Sequence, residues 1–441
     1  VKKICFFLFP VIFFLFFPIS SNAMEIITYE NPVNVLVHKG TSVTVSVNGN
    51  YQILNKEKMT ITPLASGTTL TFQYYPSRVS VTYNSKSDFS STGFIIQETK
   101  GAAPLSLVTV NKTRYRGGLD ISTQNNSLQV VNILGMEDYL KGVVPSEMPA
   151  SWPMEALKAQ AISARNYAYV NRNKLTTNPN TQTYKGFDGE NQRTNQAVDA
   201  TKGLYIKYQG KVIETFYHST SGGRTANVGD VWNSNQSAYP YLVSVDDPYE
   251  SSPHSRWSFS FSPSTILQSF SIRNPSAALY NMSITKTGAN GEVGAVTIET
   301  SEGTKTVKGN ENQIRKLFPL NSGSYYGMLP SSWFDIQVNK EGKQLFIQTP
   351  QGKKTVTSLK GQTVQTANGT VTISEDVNVQ TAAGVTLISS DPAKVSSITV
   401  TGRGWGHRIG MSQYGAKAFA EKGWTAKQIL EHYYKGAKVS Y

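Results

Sequence analysis

The chain has 441 residues, a formal net charge of +13 from 42 Lys+Arg and 29 Asp+Glu, and one cysteine, Cys5. A single cysteine excludes a disulfide framework and any multi-thiolate metal site. The length suggests two or three domains at about 150 residues each; the basic balance suits anionic wall polymers as partners, and the lack of a concentrated Lys/Arg stripe argues against nucleic acid.

Lys2 and Lys3 open a short positive segment, the apolar run Ile4–Ile19 follows, and Ser21-Asn22-Ala23 places small residues where a signal peptidase cuts. About 16 apolar residues fall short of the ~20 that a membrane-spanning helix needs. Residues 1–23 are therefore expected to be a cleaved signal peptide, with an uncleaved anchor as the alternative, and the protein to be secreted or held at the cell wall. From 24 to 112, alternating runs such as VNVLVH, TSVTVSV and TLTFQYY predict an N-terminal antiparallel β-domain. Strands continue through GLDIST and LQVVNIL.

Over 136–172 the pattern turns helical. Ser151 reads as an N-cap, Pro153 lies in the first turn and Glu155 complements the helix dipole. Ala156, Ala159, Ser163, Tyr167 and Val170 share one face. KVIETFYHS (211–219) is the clearest strand of the next segment. The β-rich stretch after it includes 340–395, which carries few aromatic or ionisable groups beyond lysine and reads as a β insertion. The Gly-rich loop GRGWGHRIG (402–410) precedes two helices, the second opened by a capping box from Thr425 to Gln428. The expected fold class is α+β and β-rich: the N-terminal β region, then a mixed core with a few helices over 113–441.

The five histidines, His38, His218, His254, His407 and His432, form no HxxxH, HExxH or HxH pair. There is no GxSxG elbow and no P-loop. Glycoside cleavage needs only one or two placed carboxylic acids and is left open by the sequence. Glu147, in VVPSEMP, follows an apolar run and precedes Met148-Pro149, so it is expected in a constrained loop between two helices. Val143, Val144, Met148 and Trp152 could desolvate it and raise its pKa, as a general acid requires. Local sequence alone favours the plainer alternative, a capping glutamate or one salt-bridged to Lys158 or Arg165. Trp405 could stack on a sugar face, and His218-Ser219 could form a polar pair at a strand end; a turn-rich structural loop and a satisfied buried histidine are the corresponding plain readings.

Taken in order, YLKGVVPSEMPASWPMEALKAQAISARNYAY, FYHSTSGGRT and GRGWGHRIGMSQYGAKAFA resemble the stage II sporulation protein D and amidase-enhancer family. The resemblance covers roughly 113–260 and 396–441, with a weaker match around 305–340. It implies a lytic transglycosylase that cuts peptidoglycan glycan strands, favours peptide-stripped ones and leaves 1,6-anhydro-N-acetylmuramic acid ends. It makes Glu147 the catalytic residue. It further implies that Lys158, Gln160, Arg165, His218, Ser219, His407, Ser412, Gln413 and Tyr414 line the groove and bind substrate. Some members hold zinc near this HST segment through cysteine and histidine; no cysteine stands there in this chain, so no metal and no cofactor are expected. The secreted branch implies a second function, a non-catalytic peptidoglycan-binding activator of a cell-wall amidase. A muramidase is a third, and would need Asp138 or Asp230 beside Glu147 to activate water.

Overall fold

The computed structural model describes residues 25–441, apart from 179–180, 322–326, 342–344, 357–358, 368, 382–383 and 389–391. The expected leader, 1–23, lies outside the described residues. The chain forms two units, one ending at Leu134 and the other comprising Asn31–Val35 and Gly135–Tyr441.

In the first unit alternate residues are buried: Val43, Val45 and Val47 on the strand Ser42–Asn48, Leu70 and Phe72 on Thr69–Tyr75. This period of two sets one strand face on a core. One antiparallel sheet runs Ser127–Leu134, Gly118–Gln124, Phe94–Glu98, Tyr51–Asn55, Thr60–Leu64. The other runs Thr113–Tyr115, Leu107–Val110, Ser42–Asn48, Thr69–Tyr75, Arg78–Tyr83, Lys86–Ser90. Phe72 and Phe94, one from each sheet, meet in the core with ring centroids 5.9 Å apart. Two hairpins turn on Asn84-Ser85 and Asn125-Asn126, all four residues at positive φ, the type I′ geometry whose twist matches the strands. The β unit continues past residue 112 to Leu134 because Gly118–Gln124 pairs with both Phe94–Glu98 and Ser127–Leu134.

The second unit contains the helices α1 (Met136–Glu147), α2 (Met154–Asn171), α3 (Gln192–Asp199), α4 (Val228–Trp232), α5 (Pro263–Ser269), α6 (Glu311–Lys316), α7 (Gln413–Glu421) and α8 (Ala426–Tyr433). Helix α2 is the hub. Ala156, Ala159, Ala161, Ala164 and Ala168 are all buried, and their small side chains let α1, α3, α7 and α8 pack against it. A second core lies under a three-stranded sheet, Arg256–Phe261, Val395–Arg403, Phe334–Lys340, with Phe261, Phe318, Phe334, Ile398 and Val400 buried in it. Lys340 and Val395 are register partners. The intervening segment therefore leaves and re-enters the sheet at one point, and it carries three two-stranded hairpins, the first formed by Leu345–Thr349 and Gly352–Val356. Among the described residues no helix is long and apolar enough to cross a membrane.

The helical stretch 136–172 is interrupted at Met148, as expected from Pro149: Met148 is extended (φ −130°, ψ 137°). Other local expectations are corrected. Pro153, not Ser151, precedes the first turn of α2, with no side-chain cap. Val170 is exposed. KVIETFYHS is strand only at Lys211–Val212 and Tyr217–His218, because the residues between bond to α2: Asn166 Nδ2 donates to the Ile213 carbonyl (2.8 Å) and Thr215 Oγ1 to the Ser163 carbonyl (2.7 Å). The capping box at Thr425 is present as expected.

Candidate active site

Two segments far apart in sequence build one wall. Tyr217–His218 pairs in parallel with Met411–Ser412. Next to it Thr220 and Trp405 exchange two backbone hydrogen bonds (3.1 and 2.8 Å), and Tyr414 N–H donates to the Ser219 carbonyl (3.1 Å). This brings FYHST against GWGH and MSQY. The Gly406 turn (φ +106°) lies close on His218, where a Cβ would come within 2.9 Å of the His218 Cβ, so glycine is required there.

The opposite wall is the end of α1. Glu147 is the last residue of that helix, not a loop residue. Its Oε1 accepts from the Thr183 backbone N–H (3.0 Å), and Gln413 Nε2 donates to its backbone carbonyl (3.0 Å). Burial raises the Glu147 carboxyl above the usual carboxylate range, opposed by the hydrogen bonds from Thr183 and Gln413. The salt-bridged alternative is not what the fold contains. Lys158 pairs with Glu155 (2.8 Å) and Arg165 with Glu137 (2.6 Å).

Between the walls lies a cleft of about 580 Å³ lined by Glu147, His218, Ser219, His407, Gln413 and Tyr414 of the expected set. Its aromatic lining is Trp152, Tyr167, Phe216, Tyr217, Trp232, Trp405 and Tyr414, a composition suited to stacking on sugar rings. Tyr167 was expected only on a shared helix face, and Phe216, Tyr217 and Trp232 were not singled out from sequence, where nothing marks an aromatic as facing a cleft. Four expected groove residues do not line it. Arg165 is fully buried and bound bidentately to Glu137; Lys158 is engaged by Glu155 on its own helix. Gln160 is buried beneath the floor, its Oε1 accepting from Gln413 (3.4 Å). Ser412 is buried as the N-cap of α7. Of these, Gln160 and Ser412 touch lining residues, Gln413 and Ser219, from behind. Among the described residues lining the cleft, Glu147 is the only carboxylate. Asp138 and Asp230 are absent from the lining; Asp230 is turned to Asn227 and the Ala289 backbone.

His218 and His407 stand with ring centroids 5.6 Å apart. Burial drives the His218 pKa well below 6.5, with the charge of His407 adding to it, and burial brings His407 to about 4. Both are neutral at pH 7. His218 Nδ1–H donates to the Ile409 carbonyl (3.2 Å), while His407 Nδ1 accepts from the Ile409 N–H (3.0 Å). His218 Nε2 is thereby left as an acceptor, and it is buried with no protein partner. The pair alone does not make a zinc site: no cysteine is near in sequence, and among the described residues no group of three or more His, Cys, Asp or Glu is placed to hold a metal.

Behind α7, Ser412 Oγ accepts from the Gly415 N–H (3.1 Å) and donates to Glu250 (2.6 Å). Asp247 Oδ2 accepts from Ser221 Oγ (3.0 Å) and the Tyr433 hydroxyl (2.9 Å). Burial, then the neighbouring Glu250 charge, push Asp247 up to about 7. Because the fold disfavours its ionisation, stability is lost as pH rises from the unfolded carboxylate value of about 4 through 7. Asp247→Asn is expected to flatten that decline, read as urea midpoints at pH 5 and 8. An equally steep decline in the variant would contradict it.

One acid held towards its neutral form at the wall of an aromatic cleft is equipped for proton transfer to a glycosidic oxygen. Residues 124–208, which include α1, α2 and Glu147, match the family model described as Stage II sporulation protein. The chain is 31% identical over 305 residues to the amidase enhancer of Bacillus subtilis (strain 168), covering 68% of this chain and 40% of that protein. It is 27% identical over 365 residues to the stage II sporulation protein D of the same organism, covering 78% of this chain and 82% of that one. The chain thus carries a stage II sporulation protein domain and is homologous to these proteins over most of its length. Its match spans less than half of the amidase enhancer. These relationships support a cell-wall-related role.

Proposed function

We propose that this protein is a peptidoglycan lytic transglycosylase, acting outside the cytoplasmic membrane, with Glu147 as its catalytic residue. The observation that carries the reading is a single carboxyl, raised by burial, in a cleft lined by aromatic rings and no second carboxylate. Glu147 gives its proton to the oxygen linking N-acetylmuramic acid to N-acetylglucosamine as the bond to C1 breaks. The muramic C6 hydroxyl attacks C1, and the Glu147 carboxylate takes that hydroxyl proton. One end becomes a 1,6-anhydro ring, the other a free hydroxyl, and Glu147 is protonated again. No water enters, so no second carboxylate is required, unlike in an inverting hydrolase.

The test is incubation with peptide-stripped glycan strands and mass spectrometry of the ends. Anhydro ends that vanish in Glu147→Ala support the reading; reducing ends indicate a muramidase instead. The amidase-enhancer relative favours a second reading, a wall-binding activator of an amidase. Under it no new ends form, and amidase stimulation is indifferent to Glu147→Ala.

A further inference from the structure

The end of the three-stranded sheet carries an arrangement the cleft does not use. Arg256 and Arg403 are register partners on antiparallel strands, and like charges directly opposite one another destabilise a sheet. Among the described residues neither is ion-paired. The acidic residues nearby are engaged elsewhere: Asp335 with Lys286 (2.5 Å) and Asp246 with Arg224 (3.3 Å). The Arg403 guanidinium lies over the half-buried Trp333 ring, 4.4 Å from its centroid, which fixes it by cation–π attraction. Arg408 also lies on Trp333 (4.1 Å), but its charge is matched by Glu292.

Two grooves of about 450 Å³ each share Trp333 and Arg403. One adds Arg256 with the hydroxyls of Ser258 and Thr401 and the Lys286-paired Asp335; the other adds Arg224, its partner Asp246 and the backbone of Gly222 and Gly223. Gly222 is three residues from Ser219, and Arg403 two from Trp405, so at 3.3–3.6 Å per residue the backbone of these groove residues lies within roughly 11 Å of the backbone of the cleft residues.

We propose that Arg403, held over Trp333, and Arg256 form a subsite for carboxylates on a glycan extending from the cleft. A guanidinium fixed over an indole, with a second one opposite it on the neighbouring strand, matches the acidic substituent of a sugar by charge-assisted hydrogen bonds. A strand whose muramic residues have free lactyl carboxylates is such a ligand; this rests on the peptidoglycan reading above.

The test uses the full chain carrying Glu147→Gln and measures binding to two probes: amidase-treated strands, and the same strands with their carboxylates converted to amides. The carboxylate form is expected to bind tighter. Arg403→Ala, and separately the exposed Arg256→Glu, are expected to weaken it about tenfold or more while leaving the amidated form unaffected. Because Arg256 lies outside the core, its variant keeps the test informative if Arg403→Ala fails to fold. Equal binding of the two probes, or carboxylate binding unchanged by Arg256→Glu, overturns the subsite and leaves the transglycosylase reading standing. Binding to neither probe removes both. Arginine-dependent binding of a poly(glycerol phosphate) in place of the carboxylate strand also overturns it.

Discussion

Under the proposed transglycosylase reading, Glu147→Gln is expected to lower kcat for strand cleavage by about 10²–10⁴-fold, the usual contribution of a positioned general acid–base. Glutamine keeps the shape and the bond from the Thr183 N–H but cannot transfer the proton. The same change stabilises the fold. The raised Glu147 pKa means that the folded state disfavours the carboxylate, so wild type carries a penalty that sets in above the unfolded value of about 4.3 and is complete above the folded pKa. The glutamine variant is therefore expected to melt higher than wild type at pH 8 and equally at pH 4. Activity falling while Tm at pH 8 stays unchanged would remove burial as the source of the acid's elevated pKa. Wild-type kcat is expected to decline with rising pH as the acid form is lost.

Arg408→Met is the most damaging substitution expected for stability, at about 3–5 kcal/mol, because it strands a buried charge. Arg408 and Glu292 are each 1% exposed and bond at 2.9 Å. Arg408 also donates to the carbonyls of Ser221 (2.8 Å) and Arg224 (2.7 Å), tying the loop that bears Trp405 and His407 to the segment after Ser219. The double change Arg408→Met with Glu292→Leu is expected to recover more than half of the loss, since no lone carboxylate remains. Urea unfolding of the single and double variants measures this. A double variant as unstable as the single one would place the cost in the lost carbonyl bonds instead.

Much of this was legible in the sequence, for identifiable reasons. The period-two pattern of TSVTVSV and TLTFQYY marked sheet faces because burial alternates residue by residue. The Thr425 box was legible because a cap is a local device. Glu147 stood out through its neighbours Val143, Val144 and Met148, and its burial follows from them. Arg165 and Ser412 were read as groove residues, since their identity cannot show that Glu137 and Glu250 already hold them. The pairing of Tyr217–His218 with Met411–Ser412 joins residues almost two hundred positions apart, and no local pattern announces it. Trp232 enters the cleft by the same long-range closure.

That closure also sets a sequence of events during synthesis. Glu147 and α1 are made long before the stretch from Trp405 to Tyr414 that supplies the facing wall. Until that stretch has docked beside His218, Thr220 lacks its Trp405 partner, Gln413 is missing from Glu147, and one side of the cleft does not exist. A growing or truncated chain therefore displays the acid without the cavity that gives it purpose. The cleft arrives late, as a property of the completed polypeptide, and under the proposed reading the order of the chain itself would shield a cell from lysis by its unfinished forms.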